Sequence, residues 1–289
     1  RISGEYDQSP GGKEKRMKTI YLDCQMGAAG DMLMGALLEL SPDQEGFLER
    51  LNQAGIPGIS VEAQKSVKCG ITGTHMSVLI KGEEEESLDI SREVKPLESD
   101  HDHEQVHHHH HSHGHDHGHH HHFSMEDITR IIDNLNVEDK VKKDVKNIYQ
   151  IIAQAESQVH GRPVAEVHFH EVGAMDAVAD ITGCAMLFHE LGAEKIMASP
   201  VTTGYGQVRC VHGILPVPAP ATALILQGIP CQAGRIEGEL CTPTGAALLK
   251  YFAGEYGRMP QMIMEKIGYG MGKKDFEAAN CIRAILGEE

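Results

Sequence analysis

Forty residues in the middle of this chain, from Glu83 to His122, carry few side chains that could be buried, and the rest of the protein has to fold around them. Between Glu83 and Glu104 ten acidic residues are set against only Arg92 and Lys95, and from His101 to His122 fourteen of twenty-two residues are histidine. Such a composition lacks the apolar surface needed to offset the entropy of ordering, so residues 83–123 read as a disordered acidic and His-rich insertion. The chain on either side is expected to be α/β (mixed α and β), with an N-terminal αβ lobe over 17–82 and a second αβ lobe over 124–289. Residues 1–16 are polar and precede Met17, and they read as an extension outside the fold. The histidine tract is internal and interleaved with Asp, Gly and Ser, which is unlike a purification tag. Near neutral pH most of its imidazoles are unprotonated, and imidazole favours nickel, copper and zinc over magnesium or calcium. A passive low-complexity linker is the alternative reading.

The 289 residues are 40% hydrophobic, enough to build one large or two modest domains. A formal net charge of −16 and the absence of tryptophan argue against a nucleic-acid surface, which needs clustered cations and stacking rings. The richest apolar stretch, Val217 to Ile229, is broken by prolines and falls short of the ~18 residues of a membrane span. The seven cysteines are odd in number and contain no CxxC pair, against a disulfide framework or a zinc ribbon. A cytoplasmic location is expected.

Local patterns place the elements. TIYLDC from Thr19 reads as a strand, followed by the tight Gly27-Ala28-Ala29-Gly30 turn and an apolar helix from Asp31 to about Leu40. A second helix is expected from Pro42 to Ala54, then paired strands over Ile59–Val67 and Thr74–Ile80. Ser124 is suited to cap a helix carrying Ile128, Ile131, Ile132 and Leu135, and a longer helix follows until Gly161 and Pro163 stop it.

The segment HFHEVGAMDAVAD, His168 to Asp180, concentrates the chemistry. His168 and His170 alternate as on a strand, so both rings point to one face and can share a metal. Asp176 and Asp180 lie four apart, which on a helix starting near Ala174 stacks both carboxylates on one stripe aimed toward Glu171. A polar strand-to-helix turn, with carboxylates capping the helix, accounts for the same spacing.

Three further motifs are more ambiguous. GAAGDM presents backbone N–H groups at a helix start, either to cradle a phosphate or simply to make a tight turn with Asp31 as cap. Asp23, at the strand end before it, is suited to act as ligand or base. Cys241-Thr242-Pro243-Thr244-Gly245 is a second helix start of the same kind. Cys210 and His212 would share one face of a strand, as a soft-ligand pair or as a buried thiol beside a hydrogen-bonded histidine. Gly268, Gly270 and Gly272 read as a hairpin connection to a final strand at Cys281–Leu286.

Taken in order, LDCQMGAAGDM, HFHEVGAMDAVADI, SPVTTGYGQVRCVHGILPVPAPAT, ELCTPTGAALL and GYGMGKKDF resemble the successive blocks of the LarC family, the nickel-insertion proteins of nickel-pincer nucleotide cofactor synthesis. The resemblance runs from about Met17 to Gly287. It implies an enzyme, a nickel chelatase or cyclometallase, that inserts nickel(II) into pyridinium-3,5-bisthiocarboxylic acid mononucleotide through two nickel–sulfur bonds and one nickel–carbon bond. It also implies a lactate racemase-type apoenzyme as recipient and a need for CTP with manganese or magnesium. The family pattern continues into a C-terminal domain associated with CTP, and this chain, ending at Glu289, is expected to need that domain for activity. It departs from the family in having Ala29 in place of Ser and Gln25-Met26 in place of Phe-Ser.

For that chemistry, residue type suggests roles that the resemblance does not itself fix. His168, His170, Asp180 and Asp23 would hold the metal, since imidazole and carboxylate ligation releases nickel more readily than a thiolate cage. Glu171 or Asp176 would take the pyridinium ring proton. Gly27, Gly30, Asp31, Thr242, Thr244 and Gly245 would hold the mononucleotide. A nickel storage or delivery protein acting through the histidine tract is the main rival, and a metal-dependent hydrolase a second.

Overall fold

The structure is a computed structural model that describes residues 16–80, 83–84, 123–169, 175–210 and 212–289, with 83, 84 and His168 described for the backbone alone. Nearly all of the expected insertion, together with His170 and Glu171, lies outside the described residues.

The first part of the chain forms β1 (Lys18–Asp23), α1 (Gly30–Leu40), α2 (Gln44–Asn52), β2 (Ile59–Lys68), β3 (Ile71–Ile80) and β4 (Glu83–Glu84). Then come β5 (Phe123–Ser124), α3 (Met125–Asp133), α4 (Asp139–His160), a 3-10 turn (Val164–Glu166), β6 (His168–Phe169) and α5 (Met175–Leu191). The remainder holds β7 (Lys195–Ala198), β8 (Val201–Thr202), β9 (Gly204–Tyr205), β10 (Gln207–Cys210), β11 (Gly213–Pro216) and α6 (Pro220–Ile225). It ends with β12 (Cys231–Gln232), β13 (Gly238–Glu239), α7 (Pro243–Phe252), β14 (Glu255–Tyr256), β15 (Ile263–Met271) and β16 (Cys281–Glu288).

The main sheet has the order β14-β7-β1-β16-β15-β3-β2, with β4 paired to β3. This is the expected mixed α/β class. β1 runs parallel to β7 and antiparallel to β16, with Asp23 opposite Arg283. Strands from both sides of the insertion therefore alternate in one sheet, and the N-terminal and second αβ segments share it along with one continuous core. The pairing of β2 with β3 is the antiparallel hairpin the sequence suggests, turning at Cys69 and Gly70.

Helix α1 is apolar on every side and buries all of its residues except Asp31 and Glu39. A helix of that kind belongs inside a protein, and α1 lies between the sheet strands β15, β3 and β16 and helix α5. Its close approach explains Gly268 and Gly270, which are interior residues of β15 and not the hairpin connection expected from their spacing. A methyl group on Gly270 would collide with the Met32 carbonyl, and one on Gly268 with that of Ala36. Glycine inside a strand commonly marks such an approach of another backbone.

Helix ends follow the sequence closely. Ser124 and Asp127 form a reciprocal capping box at the start of α3, and Gly161 ends α4 in the left-handed region at φ 61°. α2 is shorter than expected because Asp43, not Pro42, caps it, accepting from the Gly46 N–H at 3.1 Å. No described helix is long and apolar enough to cross a membrane.

Candidate functional site

The glycine turn and the CTPTG turn are held side by side. Ala28 N–H donates to the Leu240 carbonyl and Thr242 N–H donates to the Ala28 carbonyl, both at 3.0 Å. Gly27 and Gly245 make this possible, since side chains there would strike Leu240 and Ala28 backbone atoms respectively. The starts of α1 and α7 are thereby brought together. α7 is capped as its sequence suggests, Thr242 Oγ1 accepting from the Gly245 N–H at 3.2 Å, with Thr244 buried beside it.

The start of α1 differs from expectation. Its N-cap is Ala29, whose methyl group can accept no hydrogen bond, and Asp31 lies inside the first turn instead of capping the helix. The cap is supplied from α5: the Asp180 carboxylate accepts from the Asp31 backbone N–H. An oxygen acceptor at a helix N-terminus is favoured by the free N–H groups and the helix dipole, and here that acceptor is the protein's own carboxyl. Gly30 leaves room for it, because a Cβ at that position would lie 2.5 Å from Asp180 Oδ2.

Asp180 is half-buried, and its Oδ1 is shut off from solvent with no hydrogen-bond partner among the described residues. Burial, followed by the charges of Asp31 and Asp176, pushes its carboxyl well above the usual carboxylate range, while the Asp31 N–H opposes the shift. Asp176, in the first turn of α5, accepts from the Ala177 N–H at 2.7 Å. Asp31, Asp176 and Asp180 thus form an electrostatic group joining α1 and α5, an arrangement that favours a proton or a cation between them. Cys184, one turn beyond Asp180, places its thiol 3.5 Å from the Gly30 carbonyl.

Sequence reasoning missed Tyr149. This fully buried residue of α4 has its phenol pushed up by burial and then by the charges of Asp176 and Asp180, and its ring meets Phe169 edge-on at 5.8 Å. One side chain therefore touches the strand half of the HFHE motif and senses the helix half. The available signal was a polar ring within the apolar stripe Val141, Val145, Ile148 and Ile152. On the strand side, His168 pairs in register with Ser124 through β5 and β6.

Asp23 stands apart from this group. It alternates with Leu22, which packs toward the helices, and so lies on the other face of the sheet with Tyr21. Its Oδ2 accepts from Arg283 Nη2 at 2.6 Å, a pairing set by the β1–β16 register. Cys210 and His212 do not share a strand face, because β10 ends at Cys210 and His212 belongs to the turn leading into β11. Among the described residues no three His, Cys, Asp or Glu side chains form a group able to hold a metal ion. A surface pocket of about 430 Å³ lined by Arg50, Glu138, Lys140 and His189 contains none of the expected site residues. Its charges are paired internally, Arg50 with Asp43 and Glu190 and Lys140 with Glu138.

Comparison with known proteins identifies the family. The family model described as "Nickel insertion protein" matches residues 20–289. A pyridinium-3,5-bisthiocarboxylic acid mononucleotide nickel insertion protein of Clostridium acetobutylicum is 44% identical over 274 residues, covering 94% of this chain and 64% of the relative. Proteins of the same description from Clostridium kluyveri and Geobacillus kaustophilus are 41% and 38% identical, each over 94% of this chain and over 63% and 60% of their own lengths. The chain thus spans about three fifths of the length of these curated relatives. No solved structure matches it. A family match over most of the chain, together with the ordered motif blocks, establishes that it belongs to the nickel insertion protein family.

Proposed function

We propose that this chain carries the nickel-handling part of an enzyme that inserts nickel(II) into pyridinium-3,5-bisthiocarboxylic acid mononucleotide. The observation that supports this reading best is Asp180, whose buried Oδ1 has no partner among the described residues and which feels the charges of Asp31 and Asp176. Two further carboxylates beside this buried oxygen raise the energy of its charged form in the metal-free protein and are relieved by a cation. Nickel is the substrate metal, received by Asp180 with His168 and His170. Mixed imidazole and carboxylate ligation suits a metal that must next pass to sulfur.

In this proposal two thiocarboxylate sulfurs and the ring carbon between them displace the protein ligands. The ring proton leaves to Glu171 or Asp176, the carboxylates that follow the two histidines in sequence. Asp23 is assigned to its ion pair with Arg283 and not to the metal. With Asp180 occupying the start of α1, the mononucleotide phosphate is assigned to the adjoining start of α7 at Thr242, Thr244 and Gly245, while Gly27, Gly30 and Asp31 set the geometry beside it. CTP with manganese or magnesium would act through the remaining portion of the full-length relatives, and a lactate racemase-type apoenzyme in the cytoplasm would receive the product.

The test is anaerobic incubation of the chain with the mononucleotide, nickel and CTP, with and without the remaining portion of a full-length relative, reading activation of lactate racemase. Activation that depends on this chain is expected. Equal activation when this chain is omitted would overturn the proposal.

A further inference from the structure

The end of α4 holds a second arrangement suited to metal. His160 is the last residue of that helix, and His212 sits at the tip of the β10–β11 hairpin. The two rings meet with centroids 4.9 Å apart and planes inclined by 41°. A metal–nitrogen bond of ~2.1 Å puts a metal ~3.2 Å from each ring centre, so two imidazoles on one ion have centroids ~4.5 Å apart at a right angle and ~5.2 Å apart at a tetrahedral angle. The observed separation falls between these values.

The surroundings favour a cation. Glu156 Oε2 lies 3.4 Å from His160 Nε2, one helical turn back. A carboxylate behind a histidine is the usual support of a metal-ligating imidazole. The C-terminal carbonyls of α4 add the negative end of a helix dipole beneath the pair. His212 is exposed and the His160 side chain is 32% accessible, so both can be reached from solvent.

We propose that His160 and His212 form a two-imidazole nickel site, supported by Glu156 and completed by water, distinct from the carboxylate group at Asp180. Two protein ligands hold nickel less firmly than a closed site does, which suits a metal in transit toward the insertion site. The proposal rests on the reading of this chain as a nickel-handling protein, but it concerns separate residues and is tested separately.

The experiment is diethyl pyrocarbonate modification of the whole chain, mapped residue by residue by mass spectrometry, with and without nickel(II) in excess over its twenty histidines. Nickel is expected to suppress modification of His160 and His212 together. In His160→Ala, His212 should regain its reactivity despite nickel, and in His212→Ala, His160 should do the same. Continued protection of the remaining partner, or protection of neither residue in the unsubstituted chain, overturns the site and leaves a simple packing contact between rings. In the His168→Ala, His170→Ala double variant the paired protection should persist, so failure of the Asp180-centred reading is seen independently in the maturation assay.

Discussion

Asp180 occupies the space that a side chain at position 30 would need: a Cβ on Gly30 would lie 2.5 Å from its Oδ2 and 2.7 Å from its Cβ. The helix start that resembles a phosphate cradle in sequence is therefore closed by a carboxylate from α5, which accepts the Asp31 N–H. This joins the GAAGDM block to the MDAVAD block, some 150 residues later in the chain, at one buried atom.

Gly30→Ala tests that contact. At an unobstructed helical position glycine to alanine commonly stabilises by about 1 kcal/mol, but here the added methyl must displace Asp180 or α1. Overpacking of this kind costs about 1–3 kcal/mol, so a net loss of stability is expected in urea titration, together with weaker nickel binding by calorimetry. An unchanged or higher stability would show that α5 can retreat without cost.

Asp180→Asn should remove a pH dependence. The folded chain holds the Asp180 proton to higher pH than the unfolded chain, in which the carboxyl titrates near ~3.9. Between those two points the folded state binds more protons, so the stability of the metal-free protein falls as pH rises through the window and is fully present below it. Asparagine removes that dependence. Thermal melts of the metal-free proteins from acid to neutral pH should show the variant gaining on the parent chain as pH rises, with nickel affinity lost. Parallel curves would mean that Asp180 keeps its charge without penalty.

His168→Ala combined with His170→Ala should abolish cofactor maturation and leave the melting temperature nearly unchanged, because at the short strand β6 it is Val167 and Phe169 that enter the core. The check is lactate racemase activation beside a thermal melt. Full maturation by the double variant would remove both histidines from the metal centre.

Deletion of residues 101–122 should leave maturation intact at saturating nickel and impair it when nickel is scarce. A histidine-rich segment raises the local metal concentration without needing a defined geometry. Maturation assayed across a nickel series separates this from a direct role, since a direct role makes the deletion inactive at every concentration.

Local sequence was sufficient for most of the elements. Strand β1, the β2–β3 hairpin, the Ser124 cap, the long α4 and the Thr242 cap are each specified by residues within a few positions of one another, through side-chain alternation, helical spacing and capping hydroxyls. The family was legible for the same reason, because each of its motifs is a contiguous block. The spacing within HFHEVGAMDAVAD also singled that block out as the candidate for a shared metal.

What the sequence left open depends on atoms brought together from distant parts of the chain. Asp180 reads locally as a helix carboxylate; only the packing of α5 on α1 buries its Oδ1 and sets it against Asp31. Asp23 reads in sequence as a lone strand-end carboxylate, and only the β1–β16 register shows Arg283 opposite it. Gly268 and Gly270 read as a turn until α1 is seen to lie across them. His160 and His212 have no relation in sequence and meet through the ends of a helix and a hairpin. Periodicity and caps are properties of neighbouring residues and can be read along the chain, whereas desolvation, charge pairing and steric closeness arise between elements and are decided by the tertiary structure.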